Sequence, residues 1–125
     1  MVKDDLLYSE EHEYLKVDGD IATVGVTFYA QDQLGDITYV ELPEVGDSFD
    51  KGETFGTIEA VKAASDLFMP ISGEIIEVNE ELEDTPETVN KDCYGKGWLV
   101  KIKISDKSEV DSLLSADAYK KIIED

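Results

Sequence analysis

Lys62 stands among small apolar residues in the segment IEAVKAASD (58–66), and its side-chain amine is a candidate for covalent chemistry. Glu59 and Asp66 lie close to it in sequence and favour its protonated form, which is not nucleophilic. We therefore do not expect the unmodified lysine to catalyse a reaction. The alanines around it leave the amine sterically open, which suits a lysine that another enzyme acylates.

Two conformations of this segment are compatible with its residues. Good helix formers predominate, and on a helix Glu59 and Asp66 would form local ion pairs with Lys62 on a solvated surface. However, glycine or proline at positions 52, 56, 70 and 73 leaves little room for a stable helix. The alternative is a β-hairpin with Lys62 at its tip, although this tip lacks the Gly, Asn or Asp that such turns normally contain.

A second group of polar residues, Glu11, His12 and Glu13, has the residue types of a metal site. On a strand, the alternation of side chains would place His12 on the opposite face from the two acids. His12 is also the only histidine of the chain, and one imidazole makes a poor ligand set for a transition metal. We predict that no metal binds to these residues.

The chain carries 30 acidic and 11 basic residues, which gives a formal charge of −19. This charge repels phosphate backbones and anionic lipid head groups, so nucleic acids and membranes are not expected partners, whereas proteins with basic docking surfaces are.

No apolar run approaches the roughly 18 residues of a membrane span, and the N-terminus lacks the apolar stretch of a secretory signal. The single Cys93 cannot form an internal disulfide, which fits a reducing, intracellular compartment.

Turn residues divide the chain into many short strands. Asp18-Gly19 separates two apolar runs as a hairpin turn, and Pro43 ends a later strand. Further strands are expected around residues 54–58, 67–69, 74–78 and 98–104. Strands of this length and spacing predict a sandwich or barrel, and the polar segment 80–97 is expected to be a long surface connection. Because no linker interrupts the pattern, residues 1–125 are predicted to be one domain.

Helices are predicted at two places. Thr27 and Gly35 are suitable caps for a short helix over residues 28–34. Near the C-terminus the apolar residues follow helical spacing, and Asp106 and Glu109 stand at the distance of a capping box. These C-terminal helices are expected to cover one side of the β structure.

Several segments resemble the glycine cleavage system H protein family. EAVKAASD with PISGEIIEVNEEL behind it looks like the lipoyl-attachment region, and Gly73 matches the second glycine of lipoyl and biotinyl domains. YSEEHEY (8–14), VGVTFYAQDQLGDITYVELPEVGD (24–47) and YGKGWLVKIKISD (94–106) look like family segments in the right order. The resemblance covers nearly the whole chain.

The resemblance implies a barrel-sandwich hybrid fold like that of lipoyl and biotinyl domains, with Lys62 on an exposed hairpin. It also implies that lipoate is attached to Lys62 through an amide bond and that Glu59 helps the attaching enzyme to recognise the site. Four further residues are expected to contact the loaded arm. They are Glu13, Asp66, Glu11 and Tyr29, of which Tyr29 occupies a position that is often His in the family.

The function implied by the resemblance is that of a carrier, without enzymatic activity, in the glycine cleavage system. The carrier would take the aminomethyl group from the pyridoxal-phosphate-dependent glycine decarboxylase (P protein) to the tetrahydrofolate-dependent aminomethyltransferase (T protein). Dihydrolipoyl dehydrogenase (L protein) would then reoxidise it. A monomer is expected, located in the cytoplasm if bacterial or in the mitochondrial matrix if a mature organellar form.

Two other functions remain open from the sequence. The first is a lipoyl relay, in which a carrier of the same fold donates its lipoyl group to other lipoyl domains. The second is a purely structural interaction domain in which Lys62 stays unmodified.

Overall fold

Two β-sheets form the body of the protein in the computed structural model, which describes residues 2–123. The strands are β1 (Leu7–Tyr8), β2 (Glu13–Asp18), β3 (Ile21–Val26), β4 (Ile37–Glu41), β5 (Ser48–Phe49), β6 (Thr54–Ala60), β7 (Ala64–Phe68), β8 (Gly73–Val78) and β9 (Val100–Ile104). The first sheet has the order β1-β2-β3-β9-β8-β5 and the second has the order β4-β6-β7. All of these pairings are antiparallel.

Both sheets contribute apolar side chains to one shared core. Val24, Ile75 and Ile102 belong to the first sheet, and Ile58 and Leu67 to the second, and all five are buried within the same cluster. Within residues 2–123 neither sheet closes into a barrel. The predicted mainly β, sandwich-like fold is therefore confirmed.

The hairpin between β2 and β3 has the turn that its sequence predicts. Asp18 pairs with Ile21, and Gly19 has a φ of 66°, in the left-handed region that glycine adopts without steric cost.

The short helix α1 (Phe28–Leu34) begins and ends where its caps predict. The Thr27 hydroxyl oxygen accepts a hydrogen bond from the Ala30 amide at 3.2 Å. At the other end, Gly35 has a φ of 84° and donates its amide to the Gln31 carbonyl at 3.0 Å. The helix leads directly into β4, so its last turn is placed beside the second sheet.

The C-terminal region contains a 3-10 helix (Lys107–Ser112) followed by an α-helix, α4 (Ala116–Ile123). Asp106 caps the first by accepting from the Ser108 amide at 3.0 Å. The expected capping box is wrong, because the Glu109 carboxylate does not turn back to Asp106. It accepts instead from the backbone amide of Ser72 at 2.8 Å. This tertiary contact ties the 3-10 helix to the chain just before β8.

The segment 80–97 is more ordered than a surface connection. It contains two short helices, α2 (Glu81–Asp84) and α3 (Thr88–Lys91). Leu82 and Val89 point from them into the core and are fully buried. The sequence prediction failed here because single apolar residues in a polar segment carry little periodic signal, while their burial decides the fold.

Candidate functional site

Lys62 lies at the tip of the hairpin that joins β6 and β7. The Ala60 amide donates to the Ala63 carbonyl at 2.9 Å, and Glu59 pairs with Ala64 across the two strands. The helical alternative for this segment is thus wrong, and the hairpin alternative is confirmed. The tip projects from the sheet, with Val61 72% exposed and Lys62 exposed beside it.

The Lys62 ammonium has no carboxylate within 4.0 Å among residues 2–123. Its aliphatic stem lies instead along Gly35, at the end of α1. A Cβ placed on Gly35 would be 3.4 Å from Cγ, Cδ and Cε of the lysine. Asp36, the residue after Gly35, also holds the tip, because its carbonyl accepts a hydrogen bond from the Val61 amide at 3.0 Å. The lysine therefore has a free amine on a supported stem.

Glu59 and Asp66 lie on the same, solvent-facing side of the hairpin. Glu59 pairs with Ala64, which is two residues before Asp66, and side chains two apart on a strand share a face. Both acids are exposed, whereas Ile58 and Leu67 on the opposite face are buried. The structure therefore places both acids on the hairpin that carries the lysine, and within residues 2–123 neither of them forms an ion pair with it.

Glu13, at the start of β2, is a buried carboxyl with only 2% of its surface exposed. Its Oε1 accepts from the Ser9 hydroxyl at 2.6 Å, and its Oε2 accepts from the backbone amide of Phe68 at 3.3 Å. Burial raises the pKa of Glu13 to about 8, although both hydrogen bonds act in the opposite direction. Near neutral pH the side chain is therefore mostly protonated.

A pocket of about 230 Å³ opens beside Glu13. Its walls come from the β1–β2 turn, the turn before β6, the end of β7 and the C-terminal region. The lining residues are Tyr8, Ser9, Glu10, Glu11, Glu13, Lys51, Gly52, Phe68, Met69, Pro70, Ser112, Leu113 and Leu114. Of the four residues expected to contact a loaded arm, Glu11 and Glu13 line this pocket, while Asp66 and Tyr29 do not.

Tyr29 belongs to a different cluster, on the side of α1. Its ring centroid is 4.8 Å from that of His12, and His12 Nδ1 lies 2.8 Å from the Tyr119 hydroxyl. The same hydroxyl lies 2.7 Å from the Thr27 hydroxyl that caps α1. This network joins α4 to α1, and nothing in the spacing of its residues along the chain predicts it.

The strand alternation expected for residues 11–13 is wrong in one respect. Glu11 and His12 lie in the turn before β2, and His12 has a φ of 71°, which a strand residue does not adopt. Among residues 2–123, no group of three or more His, Cys, Asp or Glu side chains is arranged to hold a metal ion. Nor does this part of the chain contain a helix long and apolar enough to cross a membrane.

Three residues have a role in the site that the sequence did not predict. Ser9 and the Phe68 amide hold the Glu13 carboxyl, and Gly35 supports the lysine stem. Gly35 was identified as a helix cap, but its second role depends on a contact with a residue 27 positions later. No local signal could have revealed it.

Comparison with known proteins bears directly on this arrangement. Residues 6–125 match the glycine cleavage H-protein family. The chain is 58% identical over 118 residues to the glycine cleavage system H protein of Bacteroides thetaiotaomicron, covering 94% of each chain. It is 53% identical over 125 residues to the protein of the same name from Carboxydothermus hydrogenoformans, covering all of this chain and 96% of the other.

A solved structure agrees with the fold. The crystal structure of a glycine cleavage system H protein from Mycobacterium marinum superposes with a TM-score of 0.88 at 38% identity, covering 96% of this chain and 97% of that one. The two-sheet architecture and the displayed hairpin thus occur in a chain whose sequence matches one family along nearly its whole length. This protein belongs to the glycine cleavage H-protein family.

Proposed function

We propose that this protein is the lipoyl carrier of the glycine cleavage system, with lipoate attached by an amide bond to Lys62. The observation that carries the proposal is the exposed hairpin tip, which in a chain of this family presents a lysine that forms no ion pair within residues 2–123. Membership of the family connects the chain with the enzymes of the glycine cleavage system.

The residues around Lys62 suit an acylated lysine. Ala60, Ala63 and Ala64 have small side chains, so none of them obstructs the amine or the group attached to it. Acylation removes the ammonium charge, and it breaks no ion pair in the described part of the chain, because the Lys62 ammonium forms none there. When bound, the lipoyl group would supply a disulfide, of which one sulfur takes the aminomethyl group while the other becomes a thiol; the dithiol left after the group has been removed would then be reoxidised.

The chain itself would position the lipoyl group, and the partner enzymes would carry out the reactions. Lys62 is the anchor, and Glu59, exposed on the same hairpin, is the contact that we assign to the lipoate-attaching enzyme. Partner proteins would be the P, T and L proteins of the system. Tethering the reactive group to a docked carrier raises its local concentration to roughly millimolar, so each encounter needs only a modest interface.

Glu13 and its pocket would receive the loaded end of the arm. An aminomethyl group carries an ammonium at neutral pH, and an ammonium arriving beside Glu13 favours the ionised carboxylate. Glu13 would then lose its proton to water and form a charge-assisted hydrogen bond in a site shielded from solvent. Glu11 lines the same pocket. Asp66 lies on β7 between the tip and the pocket, and Tyr29, whose ring packs against His12, is assigned as a further contact of the arm.

Intact-mass spectrometry after incubation with a lipoate ligase tests the attachment. The wild-type protein should gain one lipoyl group, located by peptide mapping at Lys62, and the Lys62→Ala variant should gain none. A wild-type protein that gains no mass, or a variant that still does, would refute the proposal. Glycine-dependent CO₂ exchange with the P protein then tests the role in glycine cleavage, since a lipoyl relay would transfer its group without supporting exchange.

The pocket has its own test. In the loaded carrier, Glu13→Ala combined with Asp66→Ala should release the bound group faster than the wild type, because water then reaches it. Unchanged release kinetics would reject the assignment of these two residues without affecting the attachment at Lys62.

A further inference from the structure

The side-chain amide of Asn90, in α3, joins three points of the chain that lie far from it in sequence. Its Nδ2 donates to the Gly35 carbonyl and to Gln31 Oε1, each at 2.9 Å. Its Oδ1 accepts from the Ile37 amide at 2.8 Å. The amide thus bonds to the connection between α1 and β4 and to a residue of each element that the connection joins. This connection, Gly35 and Asp36, is called the platform below.

The platform also contacts the hairpin tip. The stem of Lys62 lies along Gly35, and the Val61 amide donates to the Asp36 carbonyl at 3.0 Å. The platform therefore contacts both Asn90 and the hairpin tip. The Asn90 side chain bonds to it, and it holds the tip by a backbone hydrogen bond and by its proximity to the lysine stem.

The tip has few other restraints. One backbone hydrogen bond closes it, from Ala60 to Ala63, and it contains none of the residues that stabilise tight turns. Val61 is 72% exposed, so burial does not order it. A tip of this composition needs support from outside the hairpin to keep one conformation, and among residues 2–123 the contacts with the platform supply it.

We infer that Asn90 is a positioning residue for the lysine arm, which acts by fixing the platform and so the direction in which the Lys62 side chain leaves the tip. The inference rests on the proposed attachment of lipoate to Lys62. An enzyme that modifies the lysine then binds a tip that is already ordered and loses less conformational entropy on binding. Within residues 2–123 the hydrogen bonds of the Asn90 side chain go to Gln31, Gly35 and Ile37 and not to Lys62, so its effect on the lysine must travel through the platform.

The competing explanation is that Asn90 only stabilises the fold. Asn79 provides a matched control, because its Nδ2 also donates twice, to the carbonyls of Lys96 and Trp98 at 2.8 Å each. Asn79 is buried, with 5% exposure, and its partners are not part of the hairpin or the platform. Asn90→Asp and Asn79→Asp each remove two donors, keep the shape of the side chain and add one negative charge.

The experiment compares these two variants with the wild type as full-length chains. Three quantities are measured: the kcat and KM for Lys62 with a lipoate ligase, the exchange rate of the Val61 amide hydrogen by NMR, and the midpoint of thermal unfolding. We expect Asn90→Asp to raise the KM about threefold to tenfold with little change in kcat, and to speed Val61 exchange. Asn79→Asp should lower the unfolding midpoint while leaving the KM and Val61 exchange at wild-type values.

Equal KM and Val61 exchange in the two variants would overturn the inference. Should Asn90→Asp fail to fold, the wild type alone still decides: a nuclear Overhauser effect between the Lys62 side-chain methylenes and the Gly35 α-protons supports the platform contact, and its absence refutes it. Failure of the proposed function has a separate signature, because a wild type that is not lipoylated leaves both NMR measurements intact.

Discussion

The two ends of the β6–β7 hairpin present opposite environments to the groups that we assign to function. At the tip, Lys62 is exposed and has no ion partner within residues 2–123. At the base, the amide of Phe68 donates to Glu13, which is 2% exposed. One hairpin thus connects an exposed lysine with a buried carboxyl. The difference suits the proposed carrier, whose lysine must be reached by other proteins and whose loaded arm would be held beside a buried acid.

The largest expected effect comes from removing the exposed lysine at the hairpin tip. Lys62→Ala should abolish lipoylation, while the free energy of unfolding changes by no more than about 0.5 kcal/mol, because the side chain is exposed and forms no ion pair within residues 2–123. Intact mass and chemical denaturation measure the two effects. A loss of more than about 2 kcal/mol would show that the lysine supports the fold, against the assignment of the tip to display alone.

Glu13, at the base of the hairpin, should make the stability of the protein depend on pH. Burial raises the pKa of Glu13 to about 8, whereas the unfolded chain ionises near its ordinary value of 4.5. Because the folded state holds the proton more tightly, this group's contribution to stability is fully present below pH 4.5 and is lost as pH rises towards 8. Glu13→Gln cannot ionise, so it should gain about 2 to 4 kcal/mol of stability relative to the wild type between pH 4.5 and pH 8.

Urea denaturation at pH 4.5, 6 and 8 measures this gain as a difference between variant and wild type. Other titrating groups are common to both proteins and cancel. A constant difference across the range would mean that Glu13 is already ionised in the folded protein.

A smaller effect is expected from Ser9, whose hydroxyl donates to Glu13 at 2.6 Å. This bond stabilises the ionised carboxylate, so Ser9→Ala should raise the pKa of Glu13 further and cost about 1 kcal/mol of stability. Carbon-13 NMR titration of the Glu13 carboxyl reports the pKa directly. A lowered pKa would contradict the role assigned to the hydroxyl.

The smallest effect on stability is expected on the outer face of the hairpin. Glu59→Gln and Asp66→Asn should each change the free energy of unfolding by no more than about 0.5 kcal/mol, since both acids are exposed. They should differ in lipoylation, where Glu59→Gln lowers kcat/KM several-fold and Asp66→Asn does not. Equal kinetics for the two variants would remove the recognition role from Glu59.

Much of the fold could be predicted from local signals. Thr27 and Gly35 marked the ends of α1 because capping depends on residues within one turn. Gly19 marked the β2–β3 hairpin for a similar reason. The helices within residues 80–97 could not be predicted, because the burial of Leu82 and Val89 stabilises them, and burial depends on what packs over them.

The candidate site divides in the same way. Lys62 could be identified from its small neighbours and from the resemblance of its segment to a known family, and the glycine and proline residues on either side favoured a hairpin over a helix. The environment of Glu13 could not be identified, since the Phe68 amide that it binds lies 55 residues away. The contacts of Asn90 with the platform span 53 to 59 residues and were equally hidden.

By itself the sequence determined the strand-rich pattern, the capped helix and the strong negative charge, and it singled out Lys62 among small residues, because each depends on composition or on residues close together along the chain. Only the tertiary structure decided between helix and hairpin for the Lys62 segment, which carboxyl is buried with a raised pKa, which acids remain exposed, and what supports the lysine stem. The physical reason is that a pKa, a buried hydrogen bond and the direction of a side chain depend on distances in space. Residues that are far apart along the chain set those distances only when the sheets pack.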